Sequence, residues 1–161
     1  MHGITRFVAD VGQLALADGV QMPAVAAENA IRKVAHQTVE RVTRDMEAFA
    51  YNTAIAALME LRNHLKEHRQ AAAGSAAWHE AIELLLLMLA PIAPHISEEL
   101  SHRRGHTESI HVAAWPTADA EAAAETTVEI GVQVKGKLRD RVMLPADVSQ
   151  SAAVSAALAS P

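Results

Sequence analysis

Lys135, Lys137, Arg139 and Arg141 follow one another at every second position near the end of the chain. In an extended strand that spacing puts Lys137, Arg139 and Arg141 on one face, with Lys135 in the adjoining turn. Such a face can meet phosphate oxygens as point charges or bidentate clamps. The same residues also suit a solvated edge strand, where lysine discourages strand-to-strand aggregation. A second set of cations, Arg32, Arg41 and Arg44, runs along a helical segment, and Arg6 stands on an earlier one. Glu28, Glu40, Asp45 and Glu47 are interleaved with the second set and can pair with it along the helix.

Other groupings could imitate chemistry. His95, Glu98 and Glu99 resemble an acid/base constellation, but they follow Pro94 at a helix start, where acids suit the helix dipole. His64 and His68 are four apart and share a helix face, while His102, His106 and His111 fall in a polar stretch. A zinc site needs a third or fourth ligand and a supporting shell, so no metal site and no catalytic residue is assigned. With no cysteine, disulfides and thiol catalysis are excluded. Lys+Arg number 14 against 19 Asp+Glu, a net charge of -5. That is the wrong sign for a free-standing DNA binder, so contact with nucleic acid would have to run through a local patch.

Helices must position most of these residues. Half of the sequence is hydrophobic, only 3% is aromatic, and alanine is plentiful; alanine is the strongest helix former. Ile4, Phe7, Val8, Val11, Leu14 and Ala15 recur at helical spacing. Ala24 to Met46 reads as a second helix with Ile31, Val34, Thr38, Val42 and Met46 inward, and a third follows with Asn52 or Thr53 as its cap. Ser75 can cap a fourth, which runs through Leu84–Leu89 and is apolar on every side, as a central helix must be. Its apolar run, Leu84 to Pro94, falls short of the roughly 20 residues that a membrane span needs. Pro91 and Pro94 end it, and a short helix begins at His95. Ile110 to Trp115 reads as extended. Residues 118–125 are an alanine- and acid-rich linker, so residues 1–117 form a mainly α, up-and-down helix bundle. From Val128 the period changes to two, giving a β-hairpin with a turn at Lys135-Gly136 and a last helix reaching toward Ser160. Residues 126–161 are thus read as a small, incomplete α/β module, since a two-stranded sheet is marginal alone.

Four segments, in order, resemble the bacterial leucyl-tRNA synthetases. Tyr51-Asn52-Thr53-Ala54-Ile55-Ala56-Ala57-Leu58-Met59-Glu60-Leu61 resembles that family's FNTAIAALMEL stretch. Leu89-Ala90-Pro91-Ile92-Ala93-Pro94-His95-Ile96-Ser97-Glu98-Glu99-Leu100 is similar to LAPxAPHIxEEL, shared with the isoleucine, valine and methionine enzymes. Ser109-Ile110 with Trp115-Pro116 matches SI…WP, and Val132 to Arg141 resembles VQVNGKLRGR, which points to the leucine branch. Lys135 and Asp140 depart from that pattern, which has asparagine and glycine there.

The resemblance implies an anticodon-binding helical domain followed by the start of a C-terminal domain. It makes leucine tRNA the partner, gripped by its body, and Lys135, Lys137, Arg139, Arg141, Arg6, Arg32, Arg41 and Arg44 the candidate contacts. It further implies association with the catalytic and editing domains of a cytoplasmic parent enzyme, which would use ATP and Mg. This segment itself would need no cofactor, for the His-Ile-Gly-His and Lys-Met-Ser-Lys-Ser signatures of nucleotide binding do not occur in it. Two rivals remain: the equivalent tail of an isoleucyl, valyl or methionyl enzyme, and a helical protein-interaction module with no RNA role.

Overall fold

A computed structural model of the chain describes residues 2–124, 127–134 and 137–145, with side chains for residues 3–124. The chain divides into two compact units, Met1–Ala123 and Ala124–Pro161. The first holds α1 (His2–Ala15), α2 (Val25–Glu47), α3 (Tyr51–Ala72), α4 (Ala76–Leu89), α5 (Pro94–Arg103), a 3-10 turn at Ile110–Val112 and a single turn α6 (Ala120–Ala123).

The core is organised by α4. Ala77, Trp78, Ala81, Ile82, Leu85, Leu86, Met88 and Leu89 are buried, and Leu84 and Leu87 pack partly buried against the same core. Ser75 starts this helix as its sequence suggests, its Oγ accepting from Trp78 N–H at 3.1 Å. α2 packs on α3, α4 and α6, α3 on α1 and α4, and α5 on α1 and α4. Ala27, Ala35, Ala54 and Ala57 are buried along α2 and α3, where small side chains leave room for a close approach. α1 contributes Phe7, Val11, Leu14 and Ala15, whereas Ile4 lies outside.

Three local readings need correction. α3 begins at Tyr51 and its N-cap is Ala50, with no side-chain cap. Thr53 lies inside the first turn and its Oγ1–H donates back to Ala50 O at 2.8 Å. Phe49, at φ 57, supplies the abrupt reversal that sets this start. Ile110 to Trp115 is not a strand: it opens with the 3-10 turn, whose Ser109 Oγ accepts from His111 N–H. Part of the stretch read as a linker, 118–125, is docked, since Gln37 Nε2 on α2 donates to Ala123 O at 2.9 Å.

The α1–α2 connection is closed from a distance. Val20 N–H donates to Ala73 O and Ala24 N–H to Ala71 O, both at 2.8 Å. Gly74 takes φ +79, and a Cβ placed on it would stand 2.4 Å from Gly19 Cα. Only glycine meets both conditions.

In the second unit, β1 (Thr127–Val134) and β2 (Lys137–Pro145) pair antiparallel. The expected turn at Lys135-Gly136 and the last helix toward Ser160 lie outside the described residues.

Truncating Leu86 to alanine is expected to cost about 2–5 kcal/mol in denaturant melts, because the site is closed on every side. Gly74→Ala should destabilise by more than about 1 kcal/mol, through its φ and its collision with Gly19 together, while Ile4→Ala should stay near wild type.

Candidate nucleic-acid interface

The candidate cations of the bundle fall into two groups. Arg32 Nε lies 3.0 Å from Glu80 Oε2 and its guanidinium reaches Asp119 Oδ2 at 3.3 Å. Arg41 is held by Glu60 Oε2 at 2.6 Å. Their positive charge is offset within the fold. Arg44 is 73% exposed and has only a loose contact with Asp45 at 3.7 Å. Arg6 on α1 is exposed and enters no ion pair among the described residues. Spacing alone could not separate the groups, because the acids that engage Arg32 and Arg41 come from other helices. It also passed over Arg69, exposed in the last turn of α3 beside α1 and α5.

On β2 the register alters the expected arrangement. Gly131 pairs with Arg141 and Val132 with Asp140, but Gln133 pairs with Leu138 and Val134 with Lys137. Arg139 is therefore the extra residue of a bulge. Cross-strand partners share a face, and successive residues alternate. The bulge interrupts the two-residue repeat of the ladder between Lys137 and Arg141. Lys135 lies outside the described residues.

The apparent acid/base constellation is a clasp. Glu98 Oε2 accepts from Ser109 Oγ–H and Ile110 N–H, each at 3.0 Å, and Oε1 lies 3.2 Å from His102 Nε2. Partial desolvation pushes the Glu98 carboxyl up, but these hydrogen bonds together outweigh it and hold the group below its ordinary range. Glu99 pairs with Arg103 at 2.7 Å, and His95 is exposed. Trp115 Nε1–H donates to Thr43 Oγ1 at 2.8 Å. The segment after α5 is thus tied first to α5 and then to α2.

Two further polar centres complete the scaffold. Arg104 donates to Glu83 Oε1 at 2.9 Å, to Ala15 O at the end of α1 at 3.0 Å, and to His79 Nδ1 at 3.3 Å. His36 is buried; its Nδ1 accepts from Asp119 N–H at 3.1 Å, so its Nε2 carries the proton that it shares with Glu80 at 3.1 Å. The Ala122 N–H above all, then Glu121 N–H and Arg32, hold the Asp119 carboxyl below its usual range against some desolvation. Asp10, also buried, binds Arg62 at 2.7 Å and Lys66 at 3.1 Å and so joins α1 to α3.

A helix bundle with exposed cations, followed in the chain by a two-stranded unit, defines a mainly helical domain. The chain belongs to the family of anticodon-binding domains of tRNA ligases, whose family model matches residues 28–154. It is 40% identical over 160 residues to the leucine–tRNA ligase of Dehalococcoides mccartyi strain CBDB1, a match covering 98% of this chain and 20% of that enzyme. It is 39% identical over 161 residues to the leucine–tRNA ligase of Deinococcus radiodurans, covering 99% and 20%. A solved ternary complex of Agrobacterium radiobacter K84 agnB2 LeuRS with tRNA and LeuAMS superposes at a TM-score of 0.76, with 27% identity, over 98% of this chain and 20% of that one. The chain therefore spans about a fifth of the length of the curated relatives it matches. These relatives are leucine enzymes, as the Val132–Arg141 segment indicates. Among the described residues no helix is long and apolar enough to cross a membrane.

Because Glu98 and Asp119 have lowered pKa values, their stabilisation is present above the ordinary carboxyl range and is lost as pH falls through the folded-state values. Urea melts of wild type and Glu98→Gln between about pH 7 and pH 3 should converge as pH drops, with the wild type more stable only at the upper end.

Proposed function

We propose that this chain is a tRNA-binding domain of a leucine–tRNA ligase, gripping the body of leucine tRNA for catalytic and editing domains elsewhere in the enzyme. The observation that carries this reading is the match to leucine–tRNA ligases along nearly the whole chain, with a fold similar to part of a synthetase solved with tRNA. Formation of leucyl-adenylate, with its ATP and Mg, and transfer to the tRNA 3′ end fall to those other domains, in the cytoplasm.

Within the bundle, Arg6 and Arg44 are the phosphate contacts, since Arg32 and Arg41 already have carboxylate partners. Lys135, Lys137, Arg139 and Arg141 add charge from the second unit. Exposed apolar residues supply surface for the other domains of the enzyme. Phe49 is 76% exposed and Met22 90% exposed, and Phe49 and Tyr51 meet edge to face at 6.1 Å.

Binding should favour a leucine tRNA transcript over a tRNA for another amino acid, and it should weaken with salt because it runs through phosphate contacts made by a local set of cations. Arg6→Ala and Arg44→Ala should each lower the salt slope by about 1, whereas Arg41→Ala should leave it unchanged. Equal slopes for all three variants would remove the bundle from the interface. Leucine-dependent pyrophosphate exchange by the purified chain should not exceed a protein-free control.

A further inference from the structure

We propose that His64, Glu67 and His68 on α3 form a binding site for a divalent transition-metal ion of the zinc type. The three stand at i, i+3 and i+4, so one helix face carries them all. One ligand atom from each lies within 4.8 Å of the others. Zinc bonds of about 2.0–2.2 Å to nitrogen and oxygen place ligand atoms roughly 3.3 Å apart around a tetrahedral ion. Modest rotation about the side-chain bonds, easiest for the exposed Glu67, closes that gap.

The hydrogen bonding already suits metal binding. His68 Nδ1 lies 3.0 Å from His64 O. A carbonyl can only accept, so Nδ1 carries the proton and Nε2 of His68 keeps a free lone pair. Anchoring one ring nitrogen on a carbonyl is how proteins fix the tautomer of a ligating histidine. His64 Nε2 is buried without any hydrogen-bond partner. The His64 and His68 rings lie with their centroids 4.2 Å apart. Glu67 enters no ion pair among the described residues, so its charge is free to meet a cation. The nearest-numbered lysine, Lys66, is engaged with Asp10.

Imidazole and carboxylate donors suit zinc, and three protein ligands leave a coordination position for water or an exogenous group. The site owes nothing to the RNA-binding cations and stands independently of that reading.

The test titrates Zn2+ into the tag-free chain by calorimetry and follows histidine ring resonances by NMR. One ion should bind per chain, shifting the His64 and His68 resonances together. Glu67→Gln and His68→Ala should each weaken binding about tenfold or more, with circular dichroism confirming that both are folded. The double variant His102→Ala/His106→Ala should bind as wild type. No zinc binding, binding that survives both α3 variants, or binding that is lost with His102 and His106 would overturn the proposal. If one α3 variant fails to fold, the other and the resonance shifts decide.

Discussion

The burial of α4 governs the bundle: eight of its side chains are enclosed, and the stripe through His79, Glu80, Glu83 and Leu87 reaches the surface, where its polar members meet Arg32, His36 and Arg104. From Ala81 to Leu89 every residue but Glu83 is apolar, and Ala81, Ile82, Leu85, Leu86, Met88 and Leu89 are buried. The neighbouring helices are amphipathic, with one stripe each for α4 or for one another and the opposite side left to charge. Arg6 and Arg44 are available at the surface because α1 and α2 spend their apolar stripes inward. The positions of the candidate contacts thus follow from the burial of residues that never touch a ligand.

Charged hydrogen bonds fix what hydrophobic packing leaves undetermined. Packing is non-directional and cannot specify how a loop leaves a helix. Glu98 does so for Ser109 and Ile110, Arg104 for the end of α1, and His36 with Asp119 for the return of the chain onto α2. Two of the family-like segments, the one ending in Glu98-Glu99-Leu100 and the one opening with Ser109-Ile110, are the two halves of one clasp. Their residue types make physical sense together and little sense apart.

The helices were legible in the sequence because their signals are local: the period of the apolar residues, Ser75 as a cap, and Pro94 in the first turn of α5. The misread elements depend on distant partners. Ile110 to Trp115 has the composition of a strand, but its own unit offers no strand to pair with among the described residues, and a carboxylate bends its start into a 3-10 turn. Asn52 and Thr53 are good caps by type, yet the left-handed Phe49 starts the helix earlier. Among the candidate contacts, residue type marked every cation but not which ones had partners, since Glu60 and Glu80 reach Arg41 and Arg32 across helices. The bulge at Arg139 is likewise a property of the pair of strands and not of β2 alone.

The contact between Gly19 and Gly74 bears on how the molecule assembles. The connection between α1 and α2 looks like the turn of a helical hairpin, which would form early and locally. Its donors at Val20 and Ala24 nevertheless find acceptors only on Ala73 and Ala71, beyond a whole intervening helix. The pair α1–α2 is therefore not an autonomous folding unit. Closing it waits for a loop spanning α2 and α3, with the chain entropy that such closure costs. The turn between α1 and α2 is thus secured only once the end of α3 is in place.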